Sequence, residues 1–207
     1  MNNRGFIMND PVFDTNKPNF YTPNLLGGSV EWDVNVGEFE CGCMNTFYTV
    51  KMPSRDYGGN LNPANDHWFY CDANVQDSLC PEMDLQEANK YSWATTPHKC
   101  NAPNDKGHYD WCDGAGQCAL NIVDALEWSG YGPGSQYTIN TEQPFHAKVS
   151  FEDVDDKGHL NSFSTTLSQN GRTQKMVAHG CSYMDNLVGD IADGMAFVVS
   201  AWGEGIT

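Results

Sequence analysis

Positive charge is scarce in this chain: 11 Lys and Arg stand against 27 Asp and Glu, a formal net charge of −16 over 207 residues. So acidic a surface repels phosphate backbones and anionic headgroups, which argues against nucleic acid and membranes as partners. No apolar run approaches the roughly 18 residues of a membrane span, and no basic segment followed by an apolar stretch forms a secretory leader. No Asn-x-Ser/Thr sequon occurs, so N-glycosylation is not expected. Paired C-x-x-C motifs are missing, and His67, His108, His146, His159 and His179 lack the spacing of a zinc site. The acidic stretch 152–156 lacks the alternating oxygen ligands of a calcium loop. The expectation is therefore no metal and no required cofactor. Internal repeats, linkers and low-complexity segments are also absent, so one domain over residues 1–207 is expected.

What is present points outward from the cell. The eight cysteines, Cys41, Cys43, Cys71, Cys80, Cys100, Cys112, Cys118 and Cys181, are an even number, best explained by an oxidising compartment and hence secretion. Six Trp, nine Tyr and ten Phe suit both a core and a sugar-binding surface, because flat rings stack on pyranose faces. The periodicity is that of strands: residues 30–36 (VEWDVNV) and 145–151 (FHAKVSF) alternate apolar and polar side chains. Stretches dense in Gly, Asn, Asp and Pro, at 57–65, 101–116, 130–134 and 155–158, separate such segments. Helical signals are few and short, the best at 121–128 and 183–192. An all-β, antiparallel sandwich follows.

The chemistry concentrates in residues 82–89, EMDLQEAN, three carboxylates in six positions. Glycosidic bonds are cut by such sets: one carboxylate attacks the sugar while a second, protonated, hands a proton to the departing oxygen. On a strand, Glu82 and Asp84 share a face, whereas Glu87, five positions on, points the other way. A bulge between Asp84 and Glu87 restores the shared face, and bulges concentrate beside active sites. Asp84 would then hold Glu82, while repulsion and partial burial raise the pKa of Glu87. The same acidic spacing also suits a merely solvated face, and in a chain this acidic some triplets arise by chance.

The neighbouring residues decide between these readings. The run EMDLQEANKYSWATTPHKC, from Glu82 to Cys100, resembles without a gap the signature E-M-D-I-W-E-A-N-x-x-S-x-A-x-T-P-H-x-C of glycoside hydrolase family 7, the cellobiohydrolases and endoglucanases. Further blocks resemble that family in its own order: 4–8 its R-L-Y-L-M strand, 32–36 its F-D-V-D-V strand, Cys41-Gly42 its C-G, 70–73 its Y-C-D-x, 131–134 its F-Y-G-P-G, and 194–202 its G-M-V-L-V-M-S-L-W. The resemblance implies a concanavalin-like jelly roll whose concave sheet binds substrate. In full-length members the first of these blocks lies well inside the domain and strands follow the last, so a truncated, incomplete or compact member is expected.

Site roles follow from the same resemblance. Glu82 is expected as nucleophile, Glu87 as general acid and then base, and Asp84 as the group that bonds and tunes Glu82, with the two working carboxyls about 5 to 5.5 Å apart in a retaining mechanism. Tyr48, Tyr70 and Asp72 fall near the nucleophile, and Asn74 stands where the family usually has Gln. His98 matches a histidine near the acid/base, with a loop-capping role as the plainer alternative, and Trp202 matches a tryptophan that stacks on sugar beyond the cleavage point. The implied disulfides are Cys71 with Cys80, Cys100 with Cys112, and Cys118 with Cys181. The family partner of Cys41 lies beyond this sequence and Cys43 has no family counterpart, so these two are free, joined to each other or paired elsewhere. Only eleven residues separate Cys100 from Cys112, shorter than the loop of tunnel-forming cellobiohydrolases. The implied activity is therefore internal cleavage of β-1,4-glucan, with cellulose or cello-oligosaccharide as partner and the protein acting as a monomer. Two alternatives are a non-catalytic glucan-binding relative, against which the intact triplet argues, and a family 16-like enzyme for β-1,3 or mixed-linkage glucan, against which the E-A-N and T-P-H-x-C segments argue.

Overall fold

The computed structural model describes residues 3–63, 68–125 and 129–203. The elements along the chain are β1 (Asn3–Phe6), β2 (Ser29–Val34), β3 (Cys43–Val50), β4 (Glu82–Ala88), β5 (Trp93–His98), β6 (Leu120–Asn121), α1 (Ile122–Ala125), β7 (Tyr131–Gly132), β8 (Ile139–Asn140), β9 (Phe145–Val154), β10 (Leu160–Gln169), β11 (Arg172–His179), a 3-10 turn (Ser182–Asn186), α2 (Val188–Asp193) and β12 (Ala196–Gly203). Two antiparallel sheets face each other. One has six strands in the order β1-β12-β3-β4-β5-β6, the other four in the order β11-β10-β9-β2. A small parallel pair, β7 and β8, departs from the all-antiparallel expectation.

Alternating burial explains why these segments pair as they do. In β9, Phe145, Ala147, Val149 and Phe151 point inward and are buried, while His146, Lys148 and Glu152 face out. The inward set packs against Met83, Leu85 and Trp93 of the opposite sheet and Phe163 and Leu167 of β10 in one apolar interior. Each such side chain, taken fully out of water, contributes about 1.5 to 3 kcal/mol. A second cluster, with Phe20, Val50 and Met52, lies around Cys71–Cys80 and Cys100–Cys112.

Several boundaries differ from the sequence pattern. The strand expected over 30–36 stops at Val34, where the Asn35 carboxamide accepts the Gly37 amide and turns the chain. The helical segment expected over 183–192 breaks at Leu187 into a 3-10 turn and α2. That expected over 121–128 contributes Asn121 to β6 and only Ile122–Ala125 to a helix; its last three residues lie outside the described ones. Residues 64–65 of the first turn-rich stretch, and His67, lie outside them too. β1 stops at Phe6, and Met8 makes an isolated bridge with Phe20. Gly194, just before β12, has φ +92, and a Cβ there would meet the Thr22 carbonyl oxygen, so only glycine fits.

Candidate active site

Strand β4 lies near the middle of the six-stranded sheet, and its register breaks on both sides. Against β3, Tyr48 pairs Asp84 and Phe47 pairs Gln86, leaving Leu85 unmatched. Against β5, Asp84 pairs Thr96 and Glu87 pairs Ala94, so Thr95 alone faces both Leu85 and Gln86. Two consecutive side chains therefore turn into the interior, where both are buried, and the alternation beyond them is reset. Glu87 consequently emerges on the same face as Glu82 and Asp84. All three line a groove of about 520 Å³ on the outer face of this sheet.

The bulge leaves backbone groups without ladder partners, and side chains satisfy them. The Thr95 hydroxyl donates to the Leu85 carbonyl at 3.0 Å and is engaged by the Trp93 indole N–H and by the Thr165 hydroxyl of β10. One hydroxyl, with one proton and two lone pairs, is thus fully used.

The three acids sit in unequal environments. Glu82 and Asp84 are almost completely buried, and burial, then each other's or Glu87's negative charge and that of Asp72, pushes both carboxyls well above the ordinary carboxylate range. Glu87 is raised chiefly by burial and held back by His98 and Thr96. The upward push is therefore not confined to Glu87, as the sequence suggested, but acts also on the inner pair, which has less water. Asp84 is hydrogen-bonded to Glu82, which needs a proton between the two carboxyls, so their protonation belongs to the pair. The Ala73 amide donates to Glu82 Oε2 at 3.1 Å, favouring the charge on Glu82.

His98 enters through Asp84 rather than Glu87. Its Nε2 lies 2.9 Å from Asp84 Oδ2, and its Nδ1 is 3.0 Å from the Asp113 carbonyl oxygen. A carbonyl only accepts, so Nδ1 carries a hydrogen, and the contact to Asp84 needs one further proton between the two groups. Through Asp113, His98 also ties down the 113–118 turn. Gly116 packs there so closely that a Cβ would meet the His98 ring and the Pro97 carbonyl. Among the described residues, Glu82, Asp84 and His98 form a group of potential metal ligands, their donor atoms within 4.8 Å of one another. The hydrogen bonds just described account for that proximity.

The remaining residues singled out from the sequence also line the groove. On the Glu82 side, the Tyr48 and Tyr70 hydroxyls lie 2.9 Å apart, and Tyr70 donates to Asp72 Oδ2 at 2.7 Å. Asp72 Oδ1 accepts the Asn74 and Val75 amides. Burial pushes the Tyr48 phenol up to about 12 and Tyr70 further, so both stay neutral donors. The Asn74 carboxamide reaches the Gly114 carbonyl at 3.3 Å, joining the two loops of that wall. Trp202, toward the end of β12, is 40% exposed, leaving ring surface for a ligand. Sequence reasoning overlooked Arg4, whose guanidinium lies 3.9 Å over the Tyr70 ring. The available signal was a lone cation opening the first strand of so acidic a chain. Thr46 and Ser200, bonded to each other at 2.7 Å, and Asn121 complete the floor and far edge; short polar residues on strands gave no cue.

Disulfides join Cys71 to Cys80, Cys100 to Cys112 and Cys118 to Cys181, while Cys41 and Cys43 stand outside them. None of residues 101–111, all of them described, lines the groove. That loop packs instead on the neighbouring one: the Asn104 carboxamide donates to the Tyr57 carbonyl, and His108 Nδ1 meets the Arg55 carbonyl at 2.8 Å.

The profile of Glycosyl hydrolase family 7 matches residues 72–197. Among curated proteins, the endo-beta-1,4-glucanase celB of Emericella nidulans is 25% identical over 247 residues, covering 92% of this chain and 57% of its own length. Endoglucanase EG-1 of Hypocrea jecorina is 29% identical over 165 residues, covering 71% of this chain and 34% of its own. Among solved structures, an endoglucanase I complexed with cellobiose aligns with a TM-score of 0.72 at 22% identity, over 92% of this chain and 59% of that one. A cellobiohydrolase from Daphnia pulex aligns with a TM-score of 0.66 at 22% identity, over 89% and 59%. These structural likenesses establish the shared fold, a jelly-roll sandwich of antiparallel sheets. The chain spans about half the length of the curated relatives it matches. Since the matched span takes in the whole bulged strand and reaches the last strand of the groove-bearing sheet, the chain belongs to glycosyl hydrolase family 7.

Proposed function

We propose that this protein is a secreted, monomeric, single-domain glycoside hydrolase that cleaves internal β-1,4 bonds of cellulose or cello-oligosaccharides with retention. The observation that carries this reading is the bulge at Leu85–Gln86, which brings Glu87 round to the face of Glu82 and Asp84. A solvated acidic face needs no such reset and would not bury the acids.

In this mechanism Glu82, ionised within its proton-sharing pair and held by the Ala73 amide, attacks the anomeric carbon. Glu87, kept protonated by burial, hands its proton to the departing oxygen. A covalent glycosyl-enzyme forms, Glu87 then takes a proton from water, and that water releases the sugar from Glu82. Asp84 carries the proton that orients Glu82, and His98 holds Asp84. Tyr48, Tyr70, Asp72 and Asn74 shape the wall beside the nucleophile, while the Trp202 ring offers a stacking platform for sugar beyond the cleavage point. An open groove, and hence internal cleavage, is supported by the 101–111 loop packing away from the site. A cello-oligosaccharide substrate is supported by the related endoglucanase I that holds cellobiose. The test is reducing-sugar release from carboxymethylcellulose, mixed-linkage glucan and laminarin, beside Glu82→Gln. Release from the first, absent in the variant, supports the proposal. Binding without release at any pH would replace it with a glucan-binding role, and preference for laminarin with a β-1,3-glucanase.

A further inference from the structure

Gln86 is a buried amide on the inward side of the bulge: it is 1% exposed, with Met83, Leu85 and Ala88 of the same strand packed into the core around it. A buried carboxamide is tolerated only where its donors and acceptor are used. Here they are used on both neighbouring layers. Gln86 Oε1 accepts the Trp32 indole N–H of β2 at 2.8 Å, across the sandwich. Its Nε2 donates to Asn45 Oδ1 at 2.5 Å and to the Asn45 carbonyl at 3.2 Å, on adjacent β3. Trp32 is itself fixed, edge-on to Phe47 and stacked on Trp93.

We infer that Gln86 is the positioning residue of Glu87: its links to Trp32 and Asn45 hold the bulge in the one register that aims the next side chain into the groove. Leu85, the other inward residue of the bulge, is anchored through its carbonyl by Thr95. Gln86 keeps its ladder pairing with Phe47 of β3 but shares Thr95 with Leu85 toward β5, so its side chain adds the anchor across the sandwich. Its backbone is joined directly to Glu87, which pairs Thr46 on one side and Ala94 on the other, so a rotation released at Gln86 acts first on that acid. Displacements near 1 Å at a reacting group cost up to about 10²-fold in rate. This inference rests on the proposed roles of Glu82 and Glu87.

The test uses Gln86→Met, which keeps length and volume but removes the amide, and Trp32→Phe, which removes one donor and leaves Asn45 in place. With an activated aryl cellobioside, the burst of aryl alcohol reports attack by Glu82 without help from the acid, whereas steady turnover needs Glu87 as base. Gln86→Met is expected to keep the burst rate within about 3-fold of wild type. Steady turnover and carboxymethylcellulose hydrolysis should fall about 10- to 100-fold. Trp32→Phe should fall in the same direction by less. Carbon-13 NMR titration of Glu87 should move toward the ordinary carboxylate range in Gln86→Met, a readout that needs no turnover. Equal loss of burst and turnover, or an unchanged Glu87 titration in a folded variant, overturns the inference. Wild-type inactivity on every substrate would instead overturn the proposed function, with the NMR arm still deciding the placement of Glu87.

Discussion

Strands β4 and β9 are both central to their sheets, yet they use burial in opposite ways. β9 points its side chains alternately inward and outward through Phe151, the inward side apolar and the outward side carrying partly exposed His146 and Lys148, which meet Glu31 and Asp33 of β2. Such surface pairs are worth roughly 0 to 1 kcal/mol each, so the strand holds by its inner face. β4 is covered on both sides: its inner face joins the core, and its outer face buries Glu82 and Asp84 beneath the groove wall. Burying like-charged acids opposes folding, and the protein retains them there. A strand whose two faces are both closed, one with acids, fits the proposed chemistry, and the regular strand behind it supplies stability.

The comparison can be broken from either side. The largest effect is expected for Glu82→Gln, which removes the proposed nucleophile: turnover should drop to background in a reducing-sugar assay, while cello-oligosaccharide binding by calorimetry stays near wild type. Glu87→Gln should lose about 10² to 10⁴-fold on cellulose-type substrates and far less in the first step on aryl glycosides with good leaving groups, as stopped-flow release would read. On the other strand, Phe151→Ala should cost about 3 to 5 kcal/mol in urea unfolding with no selective effect on chemistry, because it empties core volume remote from the groove. Replacing Cys118 and Cys181 by Ser should cost about 2 to 4 kcal/mol, since that bridge spans 63 positions of chain.

The smallest effect sharpens the contrast most. Because the Glu82 and Asp84 pKa values are raised in the folded state, the native protein holds more protons than the unfolded chain once pH exceeds the ordinary carboxylate values of 4.5 and 3.8. Their stabilising contribution is full below that range and is lost as pH rises through the folded values. Glu82→Gln should therefore match wild type in melting temperature near pH 4 and exceed it by a few degrees, about 1 to 2 kcal/mol, near pH 7. A variant that instead melts lower at pH 7 would show that the buried pair stabilises the fold. The rate profile should be bell-shaped, the acidic limb belonging to the Glu82–Asp84 unit and the basic limb to Glu87.

Legibility differed between the same two strands. Residues 145–151 read directly as a half-buried strand because alternation is local and the turn residues around it are explicit. Residues 82–88 do not alternate, since both faces are closed, and only the chemistry of three spaced acids signalled that a bulge must intervene. Where the bulge falls, at Leu85–Gln86, depends on partners distant in sequence: Thr95, Asn45 and Trp32. Arg4 escaped notice as a site residue for the same reason; its place beside Tyr70 follows from the pairing of Arg4 with Ser200 in the first and last strands.

By itself the order of residues determined the strand-rich class, the acidic surface, the spaced acidic triplet and the family, because composition, period-two patterning and contiguous motifs are properties of neighbouring residues. Tertiary structure alone decided that Asp84, not Glu87, takes the His98 bond, that Glu82 and Asp84 are almost completely buried, and that a buried glutamine spans the two sheets. Each of these depends on water exclusion and on distances between residues far apart in the chain, and a one-dimensional pattern carries neither.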